Sequence, residues 1–298
     1  MTDEPSAASR YLDLLVETIN GSVHGSQTFL APVDSASRLR TRIAKALAAG
    51  GVTLAKLQTV PDSAYQEGRG WPSSRLNFGE SMVGRRRLNN IRLAAETVLH
   101  EHVPGHLIET GVWRGGSCIL MRGVLAAHGV LDRTVYVADS FQGLPVADES
   151  DDAASLHDDT TLAISEEHVR DAFCRYGLLD EQVTFLKGWF SDTLPGLKGT
   201  PWAVIRLDGD MYESTMDGIR NLYPDLSHGG FLIVDDYGTY TSCRRAIHEY
   251  RDMHGITDEI VDIDGMGVFW RKFGPARDTK NLDGSRITDL QPRHHRLP

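Results

Sequence analysis

The sequence predicts an α/β fold built on a parallel sheet with helices on both faces. Three observations predict it. From Pro104 onward, short apolar runs alternate with amphipathic helical patterns. Two runs, Ala203-Val204-Ile205-Arg206-Leu207 and Gly230-Phe231-Leu232-Ile233-Val234, read as buried parallel strands. Each ends in acids, Asp208-Gly209-Asp210 and Asp235-Asp236, and the carboxyl ends of neighbouring parallel strands are where open α/β sheets bind ligands.

The elements follow in order. Residues 1–100 form an N-terminal extension, mostly helical with a loop-rich middle. Tyr11–Val16 begins an amphipathic helix, and Ser37–Ala49 suggests another. Gly68-Arg69-Gly70-Trp71-Pro72 and Leu76–Met82 carry turn punctuation. Arg85–His100 reads as a helix with Leu88, Ile91, Ala95, Val98 and Leu99 on one face, which leaves Arg85-Arg86-Arg87 on its solvated side.

Residues 101–274 carry the sheet. Its first strands are His106–Glu109, Thr134–Ala138 and Val183–Leu186, followed by the two acid-ended strands. Helices are expected at Ser117–His128, Ser165–Tyr176, Ser214–Leu226 and Cys243–Met253, with Ser165 capping the second and Glu166-Glu167 in its first turn. Glu259–Ile263 and Gly267–Trp270 look like a closing antiparallel pair. Asp148–Asp159 holds six acids without periodicity, a surface loop open to two readings: a lid over the site, or plain solvated chain. Residues 275–298 form a polar tail, in which His294-His295 reads as composition.

Composition narrows the function. With 298 residues, 41% hydrophobic and 24% charged, the chain is an ordinary globular protein. A net charge of −10 speaks against nucleic acid. No apolar stretch reaches membrane-spanning length, and Met1-Thr2-Asp3-Glu4-Pro5 lacks the features of a signal peptide. Cys118, Cys174 and Cys243, odd in number and far apart, suggest reduced thiols. A cytoplasmic enzyme with a small-molecule substrate is the expectation.

Acids that converge at two strand ends repel one another unless protonated or bound to a cation, and a hard divalent metal with oxygen ligands is the simplest reading. At the first strand, Glu109-Thr110-Gly111-Val112-Trp113-Arg114-Gly115-Gly116-Ser117 forms a glycine-rich turn. Its spacing is not G-x-G-x-x-G, which argues against NAD. Glu109 could accept from an ammonium group, directly or through water, which suits the amino-acid end of S-adenosylmethionine. Asp139 ends the second strand, 28 residues after Gly111. A carboxylate there can take both ribose hydroxyls, or it can serve the turn Ser140-Phe141-Gln142-Gly143. Gly188-Trp189-Phe190 could border an adenine, with Trp189 equally able to be core. Asp210 can act in chemistry or cap the helix near Ser214.

Four stretches, LIETGVWRGGSCILMRGVL, VYVADSFQGLP, FCRYGLLDEQVTFLKGWFSDTLP and RLDGDMYESTMDGIRNLYPDLSHGGFLIVDDYG, resemble the macrocin O-methyltransferase (TylF-type) family. The resemblance runs from about Tyr11 to about Lys272. It implies a class I methyltransferase (Rossmann-like) sheet, mostly parallel with an antiparallel closing strand. It also implies S-adenosylmethionine as methyl donor, Mg²⁺, a homo-oligomer, and methylation of sugar hydroxyls on antibiotics such as macrolides and aminocoumarins. It places the metal on Asp208, Asp235 and Asp236. It places the cofactor along Glu109, Thr110, Gly111, Val112 and Ser117, on Asp139, Ser140 and Gln142, on Gly188 and Trp189, and beside Met82. Asn77–Ser81 departs from the family pattern. Substrate contacts are expected in residues 1–100 and the acidic loop.

The chemistry expected is attack by a sugar hydroxyl, chelated with its neighbour, on the sulfonium methyl, with Asp208 or Asp210 taking the proton. A catechol or other vicinal diol would suit the same chelation. A nicotinamide-dependent sugar oxidoreductase is disfavoured by the missing glycine motif. A non-catalytic cofactor-binding domain is disfavoured by the retained acids.

Overall fold

The chain begins with helix α1 (Ala7–Ile19), in which Leu12, Leu15, Val16 and Ile19 recur at helical spacing and are buried. Ser6 caps it, accepting from the amide of Ser9 at 3.1 Å. The structure, a computed structural model, describes residues 4–24, 28–32, 47, 50, 52, 55–59 and 79–274. Within the extension it contains an antiparallel pair, β1 (Thr28–Pro32) with β2 (Ala55–Thr59), in register from Thr28 opposite Thr59. Sequence reading missed this pair, because two five-residue strands so far apart in the chain leave no local periodicity. Of the expected helix Ser37–Ala49 only Leu47 is described, in helical conformation; Gly68–Pro72, Leu76–Phe78 and the tail 275–298 lie outside the described residues.

From there the order is α2 (Arg85–His100), β3 (His106–Thr110), α3 (Gly116–Ala127), β4 (Val135–Asp139), α4 (Glu166–Arg175), β5 (Val183–Lys187), α5 (Phe190–Thr193), β6 (Trp202–Leu207), α6 (Tyr212–Leu222), β7 (Leu226–Val234), α7 (Thr241–His254), β8 (Val261–Asp262) and β9 (Val268–Arg271). α6 starts before Ser214 and stops at Leu222. Tyr223-Pro224-Asp225 makes a tighter turn, where Pro224 cannot continue an α-helix, and Leu226 already opens β7.

Seven strands form one sheet in the order β5-β4-β3-β6-β7-β9-β8. β3 to β7 run parallel, and the closing strands β9 and β8 pair antiparallel. Alternation along the strands fills both faces. Leu107, Val204, Phe231 and Ile233 meet α1, α2 and α3 in one core. Ile108, Ile205, Leu207, Leu232 and Val234 meet α6 and α7 in the other. The chain builds outward from β3 to β5, then crosses back to β6. The crevice between the carboxyl ends of β3 and β6 is therefore the topological switch point, the favoured ligand position in such sheets.

Candidate active site

Strand register assembles the site. Thr110 of β3 lies level with Leu207 of β6, and Leu207 with Val234 of β7. The next residues are Gly111, Asp208 and Asp235. Their amides extend the ladder to the carbonyls of Ala138, Thr110 and Leu207, each at 2.9 Å. Gly111 has φ 85°, and a Cβ there would lie 1.7 Å from the carbonyl oxygen of Asp208. Only glycine lets these strand ends approach so closely. Trp113 (φ 47°), Phe141 (φ 57°) and Asp210 (φ 56°) take left-handed backbone in the turns after β3, β4 and β6. Such conformations cluster where a site is being shaped.

These turns wall a single cleft of about 660 Å³. Met82, Glu109, Gly111, Val112 and Ser117 line one part, with Asp139, Ser140, Gly188 and Trp189 beside them. Asp208, Asp210, Asp235 and Asp236 line another. Two of the residues expected at the cofactor do not line it. Thr110 is buried within the sheet, and Gln142 is exposed, its amide bonded to Ser140 Oγ at 3.0 Å.

Asp139 fastens two turns together. Its Oδ2 accepts from the amide of Val112 at 2.8 Å and its Oδ1 from the amide of Phe141 at 2.7 Å. Burial raises its pKa and those backbone bonds oppose the rise. A carboxylate has about four lone-pair sites, so acceptor capacity remains on both oxygens. Glu109 is almost fully buried and accepts from Cys118 Sγ at 2.9 Å and from Arg206. Burial pushes its pKa up to about 7, with Arg206 pulling it back and Asp208 adding to the rise.

At the acid end, carboxylate oxygens of Asp208, Asp210 and Asp236 lie within 4.8 Å of one another. Burial, then repulsion by Asp208 and Asp235, pushes Asp210 up to about 8. Burial with Asp210, Asp208 and Asp235 pushes Asp236 well above its ordinary value, and burial raises Asp208 against the pull of Arg206. Partly exposed at Asp208 and Asp210 and buried at Asp236, these mutually repelling, all-oxygen donors are what a hard divalent cation requires, so the residues fit such an ion.

Asp235 stands apart from the three. Its carboxylate pairs with both Arg206 and Arg87. Arg206 is wholly buried and also holds Asp208 Oδ2 at 2.6 Å, while Arg87 Nε donates to Asp264 at 3.1 Å. Arg87 is thus buried within the site's charge network, a correction to the solvated reading of Arg85-Arg86-Arg87. Sequence reading also passed over Arg206. The signal was present: an arginine inside an apolar strand must find a partner, and its alternation with Val204 sets it on the same sheet face as Leu107 and Glu109. Nor does Asp210 cap α6. The N-cap is Met211, and the amide of Tyr212 donates to Asp151 at 2.8 Å.

Residues 8–272 match the family model described as macrocin-O-methyltransferase (TylF). The chain belongs to this family. It is 46% identical over 272 residues to demethyldecarbamoylnovobiocin O-methyltransferase of Streptomyces niveus, covering 90% of this chain and 95% of that enzyme. It is 55% identical over 209 residues to 8-demethyl-8-(2,3-dimethoxy-alpha-L-rhamnosyl)-tetracenomycin-C 4′-O-methyltransferase of Streptomyces olivaceus, covering 68% and 78%. The solved structure of the O-methyltransferase NovP superposes with a TM-score of 0.74 at 45% identity, covering 89% of this chain and 99% of that one. As a TylF-family member, the protein is an S-adenosylmethionine-dependent O-methyltransferase with the class I fold. Among the described residues, no helix is long and apolar enough to cross a membrane.

Proposed function

We propose that this TylF-family enzyme transfers a methyl group to a sugar hydroxyl of a glycosylated natural product, of macrolide or aminocoumarin type, with Mg²⁺ held in its acid cluster. One observation carries the reading: a single cleft joins the glycine-rich turn after β3 to the convergent carboxylates after β6 and β7. Methyl donor and acceptor then meet in one enclosure. The relatives support the sugar. The S. olivaceus enzyme acts, by its name, at the 4′ position of a rhamnosyl group that carries methoxy groups at positions 2 and 3. An oxygen beside the acceptor hydroxyl can therefore be an ether; a free vicinal diol is not required.

The division of labour follows from the side chains. Glu109 is proposed to accept the ammonium of the methyl donor, directly or through water, and Asp139 its ribose hydroxyls. Gly188 and Trp189 border the adenine, and Met82 borders the methionine end. The sulfonium supplies a strongly electrophilic methyl, so the difficulty lies in the protonated sugar hydroxyl. A bound divalent cation supplies a lowered pKa and a fixed direction to an oxygen it touches. Asp208, Asp236 and Asp210 offer the oxygens for it. Asp235, each of whose oxygens already accepts from an arginine, can add a further oxygen from beside them. Asp210 is proposed to take the hydroxyl proton. Arg206 engages Asp208 Oδ2 at 2.6 Å, so of the two carboxylates it is Asp208 that this guanidinium holds in place. A base so placed contributes about 10²–10⁴-fold.

The test is mass spectrometry of reactions with S-adenosylmethionine, a panel of glycosylated macrolides and aminocoumarins, and a simple catechol. A glycoside heavier by one methyl group is the expected product. Methylation of the catechol with refusal of every glycoside would replace this reading by the diol one.

A further inference from the structure

The acidic loop between β4 and α4 is fastened to the two helices that leave the acid cluster. Asp151, buried, accepts from the amide of Tyr212, the first residue of α6, at 2.8 Å. Asp152 accepts from the amide of Thr241 at 2.6 Å, its hydroxyl at 2.7 Å, and the amide of Ser242 at 3.0 Å, all in the first turn of α7. In return, Ser242 Oγ accepts from the amide of Asp152 at 3.3 Å. Neither helix caps itself: the N-cap residues are Met211 and Tyr240, without side-chain bonds. The orphan first-turn amides of both helices are met by consecutive acids from one loop, where helix dipoles also favour negative charge.

The position of these caps matters. α6 begins just after Asp208-Gly209-Asp210, and α7 begins a short turn after Asp235-Asp236. The turns are already tied, since the amide of Asp210 donates to Asp236 Oδ2 at 3.2 Å. The same loop supplies Leu144, Pro145 and Leu156 to the wall of the cleft. Asp148 and Glu149, which precede the pair, differ from it. Asp148 accepts from Ser150 within the loop at 2.8 Å, and Glu149 is exposed.

We propose that Asp151 and Asp152 are positioning residues. By capping α6 and α7 together, they fix the separation of the turns that carry Asp210 and Asp236, and they seat the loop's apolar lip against the cleft. The loop is a docked strap across the reaction centre. This rests on the acid cluster being that centre, which Asp208→Asn tests separately.

The experiment compares Asp152→Ala, Asp152→Asn and Glu149→Gln, following turnover of a glycoside, the KM for S-adenosylmethionine, and calorimetric binding of S-adenosylhomocysteine. Asp152→Ala should lower kcat about tenfold to a hundredfold, the scale of a small misplacement of reacting groups, with KM for the cofactor and product affinity within about twofold. Asparagine retains one accepting oxygen and caps helices well, so Asp152→Asn should fall between alanine and wild type. Glu149→Gln should match wild type. If the alanine variant does not fold, the asparagine variant decides: reduced kcat at unchanged cofactor affinity supports the strap, and wild-type kcat overturns it. Wild-type kcat in Asp152→Ala overturns it, as does an equal loss in Glu149→Gln or a loss matched by weakened cofactor binding. An active Asp208→Asn would remove the reaction-centre reading itself, independently of the Asp152 series.

Discussion

The amide of Asp210 donates to Oδ2 of Asp236 across 3.2 Å, tying the turn after β6 to the turn after β7 where their acids meet. Asp208 completes the group, within 4.8 Å of both. Asp208→Asn keeps the shape and removes one charge from this set. It is expected to lower turnover by at least about 10²-fold. Calorimetric affinity for S-adenosylhomocysteine should stay mostly intact, because the cofactor contacts proposed above lie mainly on the turns after β3, β4 and β5. A fully active variant contradicts the assignment.

Asp139→Ala should weaken S-adenosylmethionine binding by roughly 1.5–3 kcal/mol, the range for hydrogen bonds to a charged group. The variant also releases the amides of Val112 and Phe141, so part of the loss is preorganisation of the two turns. Titration calorimetry reads the sum, and unchanged affinity removes the ribose role.

Gly111→Ala should be among the most damaging single changes in the protein. The new methyl group would need to occupy the position of the Asp208 carbonyl at a backbone angle that L-residues avoid. A loss above about 3 kcal/mol is expected, read by chemical denaturation or by failure to obtain soluble protein. Near-wild-type stability would mean that the β3 and β6 ends are less closely apposed.

Much of the fold is legible because its signals are local. The acid-ended runs read as buried strands and are β6 and β7, and Arg85–His100 is a helix with the boundaries its periodicity gives. The site is legible where strand ends carry it: Glu109, Gly111, Asp139 and Asp208 all border the cleft. What escaped is decided by partners distant in sequence. Arg206 meets Glu109 across 97 positions, and Arg87 meets Asp235 across 148. No spacing rule reports such pairs. They turn Asp235 toward arginines and leave Asp210 grouped with Asp208 and Asp236. The loop of Asp151 and Asp152 stayed open between a lid and solvated chain for the same reason, since the helix ends these acids cap lie 61 and 89 positions away.

Stability of the cation-free protein should fall as pH rises. Burial and neighbouring acids lift Asp210 from an ordinary 3.8 to about 8, and Asp208 and Asp236 also rise. The native state then keeps protons that the unfolded chain has released. The stabilisation is full below the ordinary carboxylate range and is lost as pH climbs through about 8. Melting temperatures from about pH 5 to about pH 9 in EDTA should decline, and Mg²⁺ should flatten the decline. A flat profile in EDTA would mean that the acids do not repel one another as their burial implies.

The cation is tested most directly by stripping the enzyme of metal and following methyl transfer to a glycosylated acceptor by mass spectrometry, with Mg²⁺ and with EDTA. The convergence of Asp208, Asp210 and Asp236 predicts a product heavier by one methyl group in Mg²⁺, lost in EDTA and regained when Mg²⁺ is restored. Undiminished product in EDTA would contradict it, leaving a methyltransferase whose acids work without a metal.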